Sequence, residues 1–505
     1  MKSEPHYCRN VPKLVLVAGL IAMVCFRLPN LSNPLIDHHD FRQTQTAITS
    51  YWLAHGSFDI FNYQTPLFGA QWTVPFEFPL YQAIVAAIHM VGVPLDLACR
   101  SVSVLLFSLA IFTTVVLLRT LRADSNLGIV FVLLCAVSPY AIVWSRACLI
   151  DFTCVLVSLL YVVQALSWAE GRSWFKTASL VAVGSLAACT KVTSFPVYWV
   201  PVSLIVANEA LGMLRATSES TRRCIREWFI FAVKAVCVLI LPILVAYLWT
   251  QHTDVLKTRS ALAPHWLQSK DLAGWNYGSW AQRMKWSNWV QIWDRIRDLI
   301  LLGTWPLILL GLYATPRYPA KLRLVLLGLS IGAVSTVFVF FNLYVVHDYY
   351  LCAIFIPIVL FAAVGVDSIC SFRHDRAWIA GVIFLFISIP AAHSFTSDYV
   401  KASYTDYQNH ELLVACQQVR DIVPKGDEIV VFGEDWNSRV PYYCQRKAIM
   451  ADVVAPEKIR EYTYTNNVRW IISRLQDNTR VSRMFGGIRE VRKAGPYIVF
   501  QIITP

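Results

Sequence analysis

Charge is what this chain has least of. Only 15% of its 505 residues are Asp, Glu, Lys or Arg, against 56% hydrophobic and 13% aromatic. With a mean hydropathy of +0.49, that balance excludes an ordinary soluble domain. No Cys-x-x-Cys pair of the metal-binding kind occurs. No small-residue cleavage pattern follows the first apolar run, which therefore reads as a retained helix rather than a signal peptide. Nor is there an internal repeat of the paired-half kind that transporters commonly show. The formal net charge of +12 does not point to nucleic acid, because Lys and Arg gather on short loops between apolar runs, as the positive-inside rule requires. Of 13 Cys, most, such as Cys135, Cys154, Cys189, Cys237 and Cys352, lie inside apolar runs and act as small hydrophobes. Only Cys416 and Cys444 stand where an external disulfide can form.

What is abundant is membrane-spanning sequence. Apolar runs fall at 11–29, 100–120, 127–145, 149–168, 177–191, 195–210, 228–249, 299–315, 322–343, 350–369 and 377–393. At ~17–25 residues per span this predicts an α-helical polytopic protein with about 11–13 transmembrane helices. The run from Leu80 to Val93 reads as a juxtamembrane helix, because counting it as a span would scatter the basic loops over both sides. Without it, Lys2/Arg9/Lys13, Arg119/Arg122, Arg172/Lys176, Arg215/Arg222/Arg223/Arg226, Arg317/Lys321/Arg323 and Arg373/Arg376 all fall in the cytoplasm. The N-terminus is then inside and the C-terminus outside, in a membrane domain over residues 1–395 and an extracytoplasmic α/β domain over 396–505. Strands are expected at Glu428–Phe432, Arg469–Ser473 and Tyr497–Ile503, with a helix at Val440–Arg446. Outside the membrane lie a first loop at 29–100, a second, Trp-rich loop at 250–298, the His347-Asp348-Tyr349-Tyr350 turn and the tail from near Ser394. Trp266, Trp275, Trp280, Trp286, Trp289 and Trp293 suit the membrane interface better than sugar stacking.

The chemistry gathers at the outer face. Asp37-His38-His39-Asp40-Phe41-Arg42 follows closely on the first apolar run, and ionisable groups crowded there are costly near hydrocarbon unless they form a site. Arg42, Arg100, Arg146 and Lys191 all fall at outer helix ends, suited either to holding a phosphate at headgroup level or to anchoring helices to lipid. Glu77, just before the juxtamembrane helix, is a helix cap, an Arg partner or a divalent-ion ligand. Asp151 reads as an internal ion-pair partner, five positions after Arg146. His347 faces the same exterior surface as Asp37 and joins the donor-phosphate group with Tyr350.

Together, these features resemble the GT-C glycosyltransferases. They are an acidic, Arg-containing first loop, Glu77-Phe78-Pro79, Arg100 before the second span, Asp151 heading the fourth, Thr190-Lys191 after the fifth, the Tyr-bearing turn and the C-terminal α/β domain. The likeness is greatest to the bacterial branch of aminoarabinose transferases and, more distantly, to protein O-mannosyltransferases. It implies that Asp37 or Asp40 is the essential carboxylate facing the acceptor, that Arg42, Lys191 and Tyr350 contact the lipid phosphate, and that Asp151 organises the site. It also implies that Glu77 can help bind a divalent metal with an external-loop His, here His265. Where that branch has an acidic pair followed closely by Arg, this chain has Asp-His-His-Asp-Phe-Arg, so both aspartates stay open. Where it has Lys after the Glu, this chain has Phe78.

The expected function is transfer of a sugar from a polyprenyl-phosphate donor to an extracytoplasmic glycan, lipid or protein acceptor at the bacterial inner membrane. The donor phosphate leaves, and inversion is expected if an Asp deprotonates a hydroxyl acceptor. The alternative is a transporter or flippase of lipid-linked sugars. Ionisable residues concentrated at one face favour the enzyme.

Overall fold

The computed structural model describes residues 11–123, 125–216, 221–372 and 399–503. The apolar run at 377–393, the Arg373/Arg376 loop, Lys2, Arg9, Ser394 and the boundary at 395 lie outside them. The ten remaining apolar runs each fall on a helix. In chain order the helices are α1 (Val11–Cys25), α2 (Asp40–His55), α3 (Leu80–Met90), α4 (Leu95–Thr120), α5 (Ser125–Val137), α6 (Pro139–Trp144), α7 (Asp151–Gly171), α8 (Trp174–Thr190), α9 (Pro196–Ala216) and α10 (Thr221–Arg259). After the Trp-rich loop, with its short helices α11 (Ala273–Tyr277), α12 (Trp280–Met284) and α13 (Trp286–Arg295), come α14 (Pro306–Ala314), α15 (Ala320–Val339), α16 (Phe341–Val346) and α17 (Cys352–Phe372).

Among the described residues six helices are long and apolar enough to cross a membrane, fewer than the apolar runs suggest. The difference has local causes. Pro139 splits the run at 127–145 into α5 and α6, its missing N–H placed harmlessly at the helix start while Ser138 caps it. The run at 299–315 is interrupted before α14, which has 9 residues. In the other direction α10 does not stop at 249. Its 39 residues span about 58 Å at ~1.5 Å per residue, so it projects well past a bilayer core of ~30 Å and the second loop begins near Ser260. The α3 helix has 11 residues, too few to span.

Helices α9 and α15 pack through small residues. A Cβ added at Gly328 or Gly332 would strike the backbone of Pro201 or Val197, so the two helices approach as closely as glycine alone permits. The chain's polarity follows from α7, which runs about 31 Å from Asp151 to Gly171. At its far end Lys234 donates to the Arg172 carbonyl, Arg172 pairs with Glu209 and Lys321 with Glu170. The basic loops thus lie a bilayer's thickness from the end that carries Asp151.

The C-terminal part is a five-stranded sheet flanked by helices, ordered β2-β1-β3-β5-β4. β1 (Ile429–Phe432) is parallel to β2 (Ala448–Met450) and to β3 (Trp470–Arg474), while β5 (Tyr497–Ile502) is antiparallel to β3 and β4 (Ile488–Ala494). The buried, β-branched IVVF of β1 suits a central strand. This unit docks on the first loop: Ala448 and Met450 N–H donate to Pro66 and Leu67 carbonyls, and Phe68 forms an isolated bridge with Ile449. Of the loop tryptophans, Trp266 and Trp289 pack against Trp436 and Phe341, while Trp275, Trp280, Trp286 and Trp293 stay exposed, as interfacial residues do.

Candidate active site

The α2 helix brings the site together. Its sequence, DFRQTQTAITSYWLAH, is polar, yet Gln43 to Tyr51 are all buried. Thr44, Thr46, Thr49 and Ser50 each donate to a carbonyl one turn back, so their hydroxyls enter the packing already satisfied. Arg42 projects from the first turn and donates to Glu77 and to Gln45. Burial works against its charge, but Glu77 and the nearby Tyr349, Tyr350 and Asp151 hold the guanidinium above its ordinary pKa. Lys191 leaves α8 in an extended conformation, with Nζ 2.5 Å from Asp151 Oδ1 at the head of α7. The same ammonium lies 4.3 Å from the Tyr350 ring centroid and 5.2 Å from that of Tyr349. Lys191 and Asp151 are almost wholly buried and Arg42 and Glu77 partly exposed, so the two cation–carboxylate pairs form a floor and an open edge.

Beside them sits an aromatic and imidazole rim. His39, immediately before α2, has a left-handed backbone (φ 51°, ψ 50°), uncommon for a residue with a side chain. Its Nε2 lies 3.1 Å from Asp348 Oδ1, while the Tyr399 hydroxyl donates to Asp348 Oδ2 at 3.0 Å. Its ring meets Trp144, His347 and Tyr349 at 5.5, 5.3 and 5.1 Å between centroids. Burial first, and the neighbouring His39 second, push His347 down to about 4, so that imidazole is neutral at physiological pH.

The four cations expected at outer helix ends do not form one group. Arg100 and Arg146, expected beside Arg42 and Lys191, belong to a separate buried cluster with Asp37. Arg100 Nη2 is 3.0 Å from Asp37 Oδ2, and the same guanidinium donates to the Asn33 and Pro34 carbonyls at 3.0 and 2.7 Å. Gln43 Nε2 donates to Asp37 Oδ1 at 2.6 Å. Arg146 donates to the Pro29 carbonyl and lies over the Tyr404 ring. Arg27, not singled out from sequence, adds bonds to Ser145 and to the carbonyls of Met23 and Cys135. These arginines tie the first loop to the helix ends through backbone carbonyls, a use that no spacing in the sequence reveals. Asp40 is committed too: Oδ2 lies 3.1 Å from Arg439 Nη1, and Arg439 Nε donates at 2.6 Å to the buried Glu434.

Among the described residues no group of three or more His, Cys, Asp or Glu could hold a metal ion. Glu77 is engaged by Arg42 and lies within the field of Lys257, a doubly cationic setting that disfavours a divalent ion.

The fold is that of the GT-C glycosyltransferases. ArnT from Cupriavidus metallidurans, solved bound to undecaprenyl phosphate, superposes with a TM-score of 0.63 at 12% identity, over 97% of this chain and 97% of its own. The Archaeoglobus fulgidus oligosaccharyltransferase gives 0.57 at 12% identity, over 95% of this chain and 72% of its own. The mycobacterial arabinofuranosyltransferase AftD gives 0.55 at 13% identity, with 98% of this chain matching 42% of AftD. No protein-family model matches the chain, and no curated protein matches it in sequence. The chain is a multi-pass membrane protein of this fold, and its ionisable site lies where the helical bundle meets the C-terminal sheet unit.

Proposed function

We propose that the chain is a membrane glycosyltransferase that moves a sugar from a polyprenyl-phosphate donor to an extracytoplasmic glycan, lipid or protein acceptor. The observation that carries this reading is the convergence of Arg42 and Lys191 beside Tyr350, with their counter-carboxylates Glu77 and Asp151. A phosphate entering between the cations would draw on donors that the carboxylates use only in part, since Lys191 Nζ spends one hydrogen bond on Asp151. The leaving phosphate gains charge in the transition state, and two fixed cations at low dielectric compensate it without reorganising. That ArnT was solved with undecaprenyl phosphate bound supports a polyprenyl-phosphate ligand on this fold.

In this reading Asp37 and Asp40 frame the first loop through Arg100 and Arg439, and Arg100 and Arg146 hold that loop rather than the donor. Under the positive-inside rule the basic loops opposite the site support a cytoplasmic N-terminus and an extracytoplasmic site, which in this reading belong to a bacterial inner membrane. The test is sugar transfer from a polyprenyl-phosphate donor in reconstituted membranes. Arg42→Ala and Lys191→Ala should each weaken donor binding roughly ten- to a hundredfold, the worth of a lost hydrogen bond to a charged group of about 1.5–3 kcal/mol. Unchanged donor saturation in both variants would refute it.

A further inference from the structure

We infer that His39, oriented by Asp348, is the general base that deprotonates a hydroxyl acceptor. The inference rests on the glycosyltransferase reading above and deepens it. Both first-loop aspartates are committed elsewhere, Asp37 to Arg100 and Gln43, and Asp40 to Arg439. Asp151 and Glu77 neutralise the phosphate-binding cations. Protonating any of these carboxylates during turnover would strip an Arg or Lys of its partner.

His39 carries no such burden. With Nε2 turned to Asp348 Oδ1 at 3.1 Å, the tautomer that donates there leaves the lone pair on Nδ1. Among the described residues Nδ1 has no hydrogen-bond partner, and the side chain is 31% exposed. Asp348 is itself fixed by the Tyr399 hydroxyl, which completes a base, an orienting carboxylate and a third group behind it. The left-handed backbone of His39 lies three residues before Arg42, on the turn that starts the same helix, so base and phosphate clamp share one rigid support.

The acceptor hydroxyl gives its proton to His39 Nδ1, and its oxygen forms the new bond to the anomeric carbon with inversion. The bond from that carbon to the phosphate oxygen breaks, its electron pair leaving with polyprenyl phosphate. Arg42 and Lys191 meet the added negative charge, while Asp348 stabilises the imidazolium until its proton passes to water. The titratable groups facing His39 are Asp348, His347 and Tyr349 from the turn before α17; Arg42 and Lys191 act on the neighbouring His347, and Arg295 and Tyr399 on Asp348.

The experiment uses the full chain in liposomes, with polyprenyl-phosphate-sugar donor and polyprenyl phosphate itself as the binding probe. His39→Asn is the informative variant, because Asn tolerates the left-handed backbone. The expected result is a rate lower by about 10²–10⁴ with polyprenyl phosphate binding changed by less than about twofold. The acidic limb that a general base gives the pH–rate profile should be lost. Asp348→Asn should lower the rate while leaving polyprenyl phosphate binding unchanged, since the imidazole loses the carboxylate that orients it. Wild-type transfer that persists undiminished in His39→Asn, or keeps its acidic limb there, overturns the base while leaving the glycosyltransferase reading intact. Absence of transfer by the wild-type chain overturns both.

Discussion

Replacing Asp37 by Asn separates a structural from a catalytic role for one of the two first-loop aspartates that the sequence leaves open as the essential carboxylate. Its carboxylate is 6% exposed and its partner Arg100 1% exposed, at 3.0 Å. Removing one member of a buried ion pair costs about 3–5 kcal/mol, because the other charge is left uncompensated. Arg100 would keep the Asn33 and Pro34 carbonyls, which satisfy its N–H groups but not its charge, so the lower end of that range is expected. About 3 kcal/mol multiplies the open population of the first loop roughly 150-fold. The assay is the half-life of thermal inactivation, since a polytopic chain of this size is not a two-state system. Asp37→Asn should lose activity because it inactivates faster, and Asp37→Leu combined with Arg100→Met, which replaces the pair by apolar side chains, should recover both. An Asp37→Asn protein as heat-stable as wild type but slower by about 10²–10⁴ would return Asp37 to the chemistry and refute the assignment to the frame.

Asp40→Asn should cost at most about 1 kcal/mol, because Asp40 and Arg439 are part-exposed and Arg439 keeps Glu434; inactivation half-lives compared with Asp37→Asn would show it. Cys416 and Cys444, with sulfurs 3.0 Å apart and 28 positions apart in the chain, should form a disulfide in an oxidising compartment. A loop of that length is worth roughly 3–4 kcal/mol in the chain-entropy account, and thiol-reactive mass tagging before and after reduction would reveal two protected cysteines. His347 in the folded chain titrates near 4, below the free imidazole value of about 6.5. Its contribution to stability is therefore present above pH ~6.5 and lost as pH falls towards ~4, and His347→Gln should flatten that part of the inactivation profile. Gly332→Leu should prevent normal accumulation of the protein in the membrane, because a side chain there meets the backbone of Val197.

The membrane helices, the sheet unit and the clustering of ionisable residues near helix ends were legible because each leaves a signal along the chain. Apolar length marked the helices, loop charge sorted their ends, and β-branched runs marked β1, β3 and β5. The short strand β2 and the exposed β4 carried no such signal, since β2 has three residues and most of β4 faces solvent. The α2 helix gave no apolar signal because its threonines and glutamines are polar by composition. Their hydroxyls are spent on the helix itself, and that accounting appears only once the backbone is in place. Arg42, Lys191, Asp151 and Tyr350 lie together in the structure, yet Arg100 and Arg146 share the charge and the helix-end position that picked out Arg42 and Lys191. What separates them is the partner: backbone carbonyls and Asp37 for one group, Glu77, Asp151 and aromatic faces for the other.

That division of arginines has a mechanical consequence. The Arg100 cluster fixes the loop before α2 to the helix ends, and Arg439, wedged between Asp40 and the buried Glu434, fixes the start of α2 to the sheet unit. Glu434 also accepts from Arg474 at 2.7 Å and from the Tyr497 hydroxyl at 2.7 Å, so the anchor reaches β3 and β5. Asp452 holds the same turn by accepting the Gly433, Glu434 and Asp435 N–H groups. His39 and Arg42 therefore sit on a helix start clamped from both sides, and loosening either clamp should misplace both together. Arg439→Ala should accordingly lower the transfer rate and weaken polyprenyl phosphate binding in parallel, whereas His39→Asn should lower the rate alone. Measuring both quantities in both variants distinguishes the clamp from the base, and an Arg439→Ala protein with unaltered rate and binding would show that the sheet unit does not position the site.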